Sequence, residues 1–221
     1  MTRQEDKSFA GDKKVGASVM SDLEKKLVLF LTPKVPSFIQ THHLTLLTLL
    51  WSLGTILFGV LAQKNLVWLI GVNCMVILQY LTDILDGAVG RHRQTGLIKW
   101  GFFMDHLLDY IFLISLMTAG YLITPPNLQI FTTALAAILS CILVANFLHF
   151  ATTNKFQVYH FGLGPTEFRL AVLCFNFFVI FAGTDQFYLL LPLGCLMALV
   201  ALLVYVIKIH RELWELDNPK F

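Results

Sequence analysis

Long apolar segments alternate with short polar connections over most of the chain. Six such segments are predicted, with bounds at 44–63, 66–88, 101–123, 128–151, 168–183 and 187–208. All but the fifth reach the roughly 20 residues that a helix needs to cross a bilayer, and the fifth is short unless it extends back into 163–167. The pattern predicts an all-α, polytopic membrane protein whose six transmembrane helices form one domain over 40–210.

The sequence before these segments has a different character. Residues 1–20 are charged and lack apolar periodicity, which predicts a disordered arm and no cleavable signal peptide. Residues 21–39 begin with a helix-capping pattern and carry an apolar stripe, which predicts an amphipathic helix lying on the membrane surface. The stripe consists of Leu23, Leu27 and Phe30. Pro33 and Pro36 end the predicted helix, and at the other end of the chain 211–221 is predicted to be a polar tail.

The composition supports a membrane location. Apolar residues make up 57% of the chain and charged residues 14%, against about 25% charged residues in an average soluble domain. Most of the outer surface must therefore face membrane lipids. The four cysteines lie inside apolar stretches without metal-ligand spacing, which is typical of packing residues. No Gly-rich phosphate loop, nucleophilic triad or basic nucleic-acid patch stands out, so no nucleic-acid partner is expected.

Positive charges are distributed unequally between the two sides of the membrane. Of the 16 Lys and Arg residues, Lys64 alone lies in the connections between helices one and two, three and four, or five and six. The others lie in the N-terminal arm, the two remaining connections with their flanking helix ends, or the C-terminal tail. Because basic residues are retained on the cytoplasmic side, both termini and the two basic connections are predicted to be cytoplasmic.

Four aspartates interrupt the second and third apolar segments. Asp83 and Asp86 are three residues apart, and Asp105 and Asp109 are four apart, so each pair lies on one face of a helix. An unpaired carboxylate at the bilayer centre costs a few kcal/mol, and four at one depth would also repel each other. Bound divalent cations would remove both penalties. Ion pairs with Arg or Lys that only hold helices together are the structural alternative.

The donor atoms of these aspartates indicate the kind of metal. Carboxylate oxygens favour hard cations such as Mg²⁺, Mn²⁺ or Ca²⁺ over zinc. Four carboxylates exceed what one Mg²⁺ usually takes from a protein, which indicates two ions, Mg²⁺ or Mn²⁺, completed by phosphate oxygens. A metal pair on phosphate is typical of phosphoryl transfer. Gly87 and Gly101 would let a ligand approach beside the acids, and Arg91 lies within two helical turns, where it could hold a diphosphate oxygen.

The segment from Asp83 to Asp109 resembles the signature of the CDP-alcohol phosphatidyltransferase family. The family pattern is D-x2-D-G-x2-A-R, eight or nine residues, then G-x3-D-x3-D. This chain reads DILDGAVGR over 83–91 and GFFMDHLLD over 101–109. Only Gly90 departs from the pattern, where the family has Ala, and the change is from one small residue to another. The predicted six-helix topology is also similar to that of the family.

The resemblance implies an enzyme of membrane phospholipid synthesis that transfers a substituted phosphate group from a CDP-linked donor to an acceptor hydroxyl and releases CMP. It implies that Asp83, Asp86 and Asp105 are metal ligands. Asp109 would be the fourth ligand, the catalytic general base, or both. The implied CDP-binding residues are Asp83, Gly87, Arg91, Gly101 and, by a match to a Thr near the family's first helix, Thr45. Homodimers are common in the family, and no interface is evident in this sequence.

Further polar residues on the same side are candidate substrate contacts. Lys155, Glu167 and Arg169 surround the start of the fifth helix, a region that in the family commonly helps to select the acceptor. Glu167 also fits a plain helix start, since Pro165 precedes it and an acid favours the positive end of the helix dipole. His106 follows the third acid, which is similar to the branch that transfers phosphocholine or phosphoethanolamine to diacylglycerol. A packed histidine is the simpler alternative.

The function has alternatives at two levels. Within the family, the donor is either CDP-diacylglycerol with a small polar alcohol or its phosphate as acceptor, or a CDP-aminoalcohol with a lipid acceptor. Outside the family, a divalent-cation transporter would also use paired intramembrane acids, but transporters usually carry internal repeats with interrupted helices, which this sequence lacks. The predicted function is therefore the enzyme, with its active site on the cytoplasmic side.

Overall fold

The structure, a computed structural model, describes residues 14–15, 21–95, 97–154, 156–157 and 164–218. Within these ranges the α-helices are α1 Ser21–Leu31, α2 Thr41–Ala62, α3 Leu69–Arg93, α4 Ile98–Ile123, α5 Gln129–Thr153, α6 Pro165–Ala182 and α7 Phe187–Asp217. Single 3-10 turns lie at Thr32–Lys34, Leu66–Trp68 and Pro126–Leu128. Two-residue strands, β1 Lys14–Val15 and β2 Phe156–Gln157, pair in parallel. The fold is all-α, as predicted, and most of the predicted disordered arm 1–20 lies outside the described residues.

Six of the described helices are long and apolar enough to cross a membrane. With their 3-10 turns they extend over Thr41–Ala62, Leu66–Arg93, Ile98–Ile123, Pro126–Thr153, Pro165–Ala182 and Phe187–Asp217. This confirms the predicted number of membrane spans. The structure also contains a helix at the predicted capping pattern, and α1 ends at Leu31, directly before the turn that contains Pro33. Its position on the membrane surface stays a prediction.

The two helices that carry the aspartates are longer than predicted. α3 continues past 88 to Arg93 and ends where Gln94 adopts a left-handed conformation with a φ of 52°. α4 begins at Ile98 rather than at 101. Both aspartate pairs therefore lie well inside regular helices, where the backbone fixes the direction of each side chain.

The last two helices also differ from their predicted bounds. α6 begins at Pro165, inside the stretch 163–167 that would lengthen the short fifth segment. Proline suits this position because the first turn of a helix leaves its N–H groups unpaired. α7 continues past 208 to Asp217, so most of the predicted tail 211–221 is helical. The reason is local, since 209–217 contains no Gly or Pro to end the helix.

Three helices form the centre of the bundle. α2, α3 and α4 pack against one another, while α6 packs on α3, α5 on α4 and α7 on α5. The apolar core lies at the end where α2 connects to α3 and α6 connects to α7. Its buried members are Ala62, Leu69, Val72, Val76, Phe112, Leu116, Leu128, Val179, Phe187 and Leu191. The aspartates lie toward the opposite end, so apolar packing fixes the helices at one end and polar chemistry occupies the other.

Small residues, and a small polar residue that hydrogen-bonds within its own helix, let α2 approach its neighbours closely. A Cβ added at Gly59 would lie 2.7 Å from Ala119 Cα on α4, so the two backbones are nearly in contact. The buried Ser52 hydroxyl donates to Thr48 O in its own helix at 2.8 Å, which satisfies it without a partner on another helix. Thr45 lies further toward the aspartate end on the same helix, where its hydroxyl reaches α3.

Candidate active site

Three aspartates converge between α3 and α4. Asp83 comes from α3, and Asp105 and Asp109 lie one helical turn apart on α4. One carboxylate oxygen of each of the three lies within 4.8 Å of the corresponding oxygens of the other two. Because the packed helices hold these like charges together, the site needs a compensating positive charge.

The donor set of this aspartate cluster fits a hard divalent cation. Every converging group is a carboxylate, and oxygen ligands suit Mg²⁺, Mn²⁺ or Ca²⁺. The side chains are partly open, with exposed fractions of 19% for Asp83, 29% for Asp105 and 38% for Asp109. A ligand can therefore reach the cluster, and Asp109 is the most accessible of the three acids.

Asp86, the fourth predicted ligand, makes different contacts. It follows Asp83 by one turn of α3, is 8% exposed, and accepts a hydrogen bond of 2.8 Å from Thr45 Oγ1 on α2. Its other oxygen lies against the backbone N–H of Gly87. The structure thus brings three of the four predicted carboxylates together. The fourth, Asp86, is hydrogen-bonded to Thr45, which was predicted to bind CDP. A metal-binding role of Asp86 and a CDP contact of Thr45 stay predictions.

Arg169, predicted as a substrate contact, reaches the aspartate cluster from α6. Its Nη2 donates to Asp83 Oδ2 at 2.8 Å and lies 3.7 Å from Asp109 Oδ1. The Arg169 side chain is 12% exposed, so this ion pair is largely shielded from water. Arg169 pairs with two of the acids and links α6 to α3 and α4. The alternative in which ion pairs with the aspartates hold the helices together is therefore partly supported.

Gln79 completes this network and was missed as a site residue from the sequence. It lies one turn before Asp83 on the same face of α3 and is fully buried. Its Oε1 accepts a hydrogen bond from Arg169 Nε at 3.0 Å, and its Nε2 donates to Asp109 Oδ1 at 2.9 Å. The four-residue spacing from Gln79 to Asp83 is the sequence signal that could have identified it.

The glycines beside the acids have different surroundings. A Cβ added at Gly87 would lie 3.3 Å from Arg91 Nη1, so the guanidinium folds back over this glycine. A Cβ at Gly90 would lie 3.2 Å from Thr41 Oγ1, so the alanine of the family pattern would crowd α2 at this position. A Cβ at Gly101 would meet nothing within 4 Å. Gly101 thus borders open space, whereas Gly87 accommodates a charged side chain.

His106 and Glu167 make contacts that are typical of structural residues. His106 Nδ1 lies 2.6 Å from Phe102 O, and the two rings pack with centroids 4.3 Å apart, which supports the packed-histidine alternative. Glu167 Oε2 accepts a hydrogen bond of 2.9 Å from Gly164 N–H, as expected for a plain helix start. Substrate contacts of both residues stay predictions, and Lys155 lies outside the described residues.

A cavity of about 190 Å³ lies beside Arg169, between α1, α3 and α6. Its walls are largely apolar and include Leu27 and Ile77. At its edge, Thr166 Oγ1 donates to Glu24 Oε2 at 3.1 Å and ties α1 to the start of α6. An apolar space that ends at a guanidinium suits an amphiphilic ligand.

Comparison with known proteins gives one match. The model of a family described as CDP-alcohol phosphatidyltransferase matches residues 38–210, which is more than half of the chain. The match includes all four aspartates, Gln79 and Arg169, and it ends within α7. No significant match was found among curated proteins or among solved structures.

Proposed function

Because the chain belongs to the CDP-alcohol phosphatidyltransferase family, whose members are transferases of substituted phosphate groups, we propose that it moves such a group from a CDP-linked donor to an alcohol. The proposed reaction is a step of membrane phospholipid synthesis that releases CMP. The observation that carries it is the convergence of Asp83, Asp105 and Asp109 between two membrane-spanning helices. No observation on the described residues favours the transporter alternative over the enzyme.

Divalent cations are the proposed cofactors, since the family is metal-dependent and the aspartate cluster offers suitable oxygens. We propose two ions, Mg²⁺ or Mn²⁺, held by Asp83, Asp86, Asp105 and Asp109. Their contribution would be to neutralise the phosphate oxygens and to stabilise the charge on the departing CMP. The protein's own contribution is to hold the ligands on two rigid helices, which fixes the phosphate relative to the acceptor.

Asp109 is the proposed general base. It is the most exposed acid of the cluster, so the hydroxyl of an acceptor can reach it. In the proposed step, the acceptor oxygen forms a bond to the phosphorus on the alcohol or lipid side of the donor, and the bond from that phosphorus to the CMP oxygen breaks. The hydroxyl proton passes to Asp109, and CMP leaves with the electron pair. Gln79 orients the Asp109 carboxylate by donating to Oδ1.

The donor is proposed to bind at the same end of α3 and α4. Arg91 lies over Gly87, from where its guanidinium can contact a diphosphate oxygen. Gly101 borders open space on α4, which suits close approach of the nucleotide. Thr45 and Asp83 complete the proposed CDP-binding set. Glu167, Arg169, His106 and Lys155 are retained as proposed substrate contacts.

Two donor classes are compatible with this site. Either CDP-diacylglycerol reacts with a small polar alcohol or its phosphate, or a CDP-aminoalcohol reacts with a lipid acceptor. In both cases one substrate is a lipid, which the apolar cavity beside Arg169 supports without favouring either donor. From the distribution of basic residues we propose that both termini and the active site face the cytoplasm. A homodimer stays a proposal by analogy with the family.

The proposed function is tested by incubating the purified protein in lipid nanodiscs with each donor class. One reaction contains CDP-diacylglycerol and a panel of polar alcohols and their phosphates, and the other contains CDP-choline or CDP-ethanolamine and diacylglycerol. Release of CMP and a new phospholipid, identified by mass spectrometry, is expected in one of the two. Asp83→Asn is the matched negative control. If neither donor yields CMP above this control, the proposed function is wrong.

A further inference from the structure

The Arg169 guanidinium lies where the aspartate cluster needs positive charge. Its Nη2 is 2.8 Å from Asp83 and 3.7 Å from Asp109, two of the three acids whose oxygens converge. A charge that is shielded from water is costly unless it is paired, so the guanidinium and the carboxylates stabilise one another. Arg169 is thus a counter-ion of the cluster that is built into the protein.

Gln79 fixes the direction of this counter-ion. Its carbonyl oxygen accepts from Arg169 Nε at 3.0 Å, and its amide nitrogen donates to Asp109 at 2.9 Å. The carbonyl end of the amide therefore faces the Arg169 guanidinium, and the NH₂ end faces the Asp109 carboxylate. Because Gln79 is fully buried, it has little freedom to turn. The ring of Tyr80 lies 5.5 Å from Arg169 Cζ and adds a cation–π contact to the guanidinium.

We propose that Arg169 is an exchangeable counter-ion of the metal site. Oriented by Gln79, it neutralises Asp83 and Asp109 while no divalent cation is bound, and it withdraws from them when the cations bind. The guanidinium and the cations compete for the same carboxylate oxygens. Arg169 therefore weakens the binding of the divalent cations. In their absence it stabilises the aspartate cluster by neutralising its negative charge. This inference rests on the proposed metal-dependent function.

The test is a Mn²⁺ titration of the purified full-length protein without any CDP donor, with free Mn²⁺ followed by electron paramagnetic resonance. Arg169→Gln removes the competitor and should bind Mn²⁺ about tenfold more tightly, a change of ~1.4 kcal/mol. Lys64→Gln is the matched control, since it removes one positive charge from an exposed position in the turn that follows α2, at the end of the bundle opposite the aspartates. Its affinity for Mn²⁺ should equal that of the unmodified protein. Equal or weaker binding by Arg169→Gln would overturn the proposal.

Thermal unfolding gives a second measurement that does not depend on activity. Metal-free Arg169→Gln leaves two carboxylates without their guanidinium and should have a lower Tm than the unmodified protein. Saturating Mn²⁺ should then raise its Tm by more than it raises that of the unmodified protein, because ligand binding stabilises by mass action. An equal rise in both proteins would contradict exchange between the guanidinium and the cation.

Gln79→Leu tests the same proposal with the charge of Arg169 retained. It removes the hydrogen bond that Gln79 accepts from Arg169 and the one that it donates to Asp109. Because the guanidinium is then held less firmly, Mn²⁺ binding should tighten by a smaller factor, roughly threefold. The double variant should bind Mn²⁺ less tightly than the product of the two single effects predicts, since Gln79 acts partly through Arg169 and contacts Asp109 as well. If Arg169→Gln does not fold, the Gln79→Leu titration decides, and unchanged affinity overturns the proposal.

Failure of this inference and failure of the proposed function give different results. If the unmodified protein does not bind Mn²⁺, the aspartates are not a metal site and both proposals fall. If it binds Mn²⁺ and neither variant changes the affinity, the exchange of Arg169 is wrong and the metal-dependent function stands.

Discussion

The Thr45 hydroxyl on α2 donates a hydrogen bond of 2.8 Å to the Asp86 carboxylate on α3. The same hydroxyl lies 3.1 Å from Thr41 O in its own helix, so it is held between two acceptors. Both Thr45 and Asp86 are buried. This contact connects two helices at the level of the aspartates and fixes the direction of the one acid that lies outside the three-carboxylate cluster.

Thr45→Val keeps the shape of the side chain and removes the hydroxyl that donates the hydrogen bond to Asp86. The Asp86 carboxylate then loses a hydrogen bond to a charged group, which is worth about 1.5–3 kcal/mol. We expect a lower Tm and a rate of CMP release reduced by roughly tenfold, the range found when a residue that orients a metal ligand is removed. Thr45→Ser retains the hydroxyl and should stay close to the unmodified protein in both measurements.

A double-mutant cycle separates this positioning role from the predicted CDP contact. If Thr45 acts through Asp86, then Thr45→Val should change the Tm much less in an Asp86→Asn protein than in the unmodified one. The affinity for the CDP donor tests the alternative, in which Thr45 contacts the nucleotide. An affinity for the CDP donor that falls equally in both backgrounds would show that Thr45 contacts the nucleotide itself.

Asp83→Asn and Asp105→Asn each remove one charge from the cluster without changing its size. We expect each to lower the rate of transfer by about 10²–10³ or more, because the charge that develops on phosphate is no longer stabilised. Mn²⁺ binding should weaken in both, measured by the same titration without donor. Full activity in either variant would contradict the assignment of that aspartate as a metal ligand.

Removal of the metal is an independent check of the same site. Excess EDTA should abolish CMP release, and Mg²⁺ or Mn²⁺ added beyond the chelator should restore it, since the proposed cations neutralise the charge of the phosphates during transfer. Zn²⁺, which favours sulfur and nitrogen ligands, should restore activity less well. Transfer that continues at full rate in EDTA would exclude a loosely held divalent cation from the reaction.

The sequence predicts the membrane spans and the aspartate pairs because both depend on local pattern. Apolar length identifies a span without knowledge of its neighbours, and spacings of three and four residues place Asp83 with Asp86 and Asp105 with Asp109 on single helix faces. The sequence does not predict that Asp86 turns to α2, because that depends on how closely α2 packs on α3. The helix ends were also missed, since Arg93 and Asp217 end helices in polar sequence that hydropathy leaves out.

The contact between Gln79 and Arg169 is a clearer case of a tertiary contact that local sequence pattern does not predict. The two residues are 90 positions apart, and only tertiary packing of α6 on α3 brings them together. Nothing in the pattern around Arg169 distinguishes a substrate contact from a counter-ion. The four-residue spacing from Gln79 to Asp83 places the amide on the face of the aspartates, but the spacing does not reveal that Arg169 and Asp109 are its partners.

Asp109→Asn tests the proposed base without removing the side chain. The variant should still bind the CDP donor and Mn²⁺, because three other aspartates remain, but its kcat should fall by about 10²–10⁴ since no group accepts the hydroxyl proton. Donor binding measured by isothermal titration and turnover measured by CMP release separate the two effects. Turnover close to that of the unmodified protein would remove Asp109 from the role of base.

Gly90 is the one position where the chain departs from the family pattern, and the structure relates the departure to Thr41. A Cβ at Gly90 would lie 3.2 Å from Thr41 Oγ1 and 3.4 Å from Thr41 Cγ2, so both atoms crowd the same space. Alanine stabilises a helix interior by up to about 1 kcal/mol relative to glycine, and this gain competes with the crowding. Gly90→Ala should therefore raise the Tm more in a Thr41→Ala protein than in the unmodified one. Equal changes in the two backgrounds would show that Thr41 does not determine which residue fits at this position, because independent sites give additive effects.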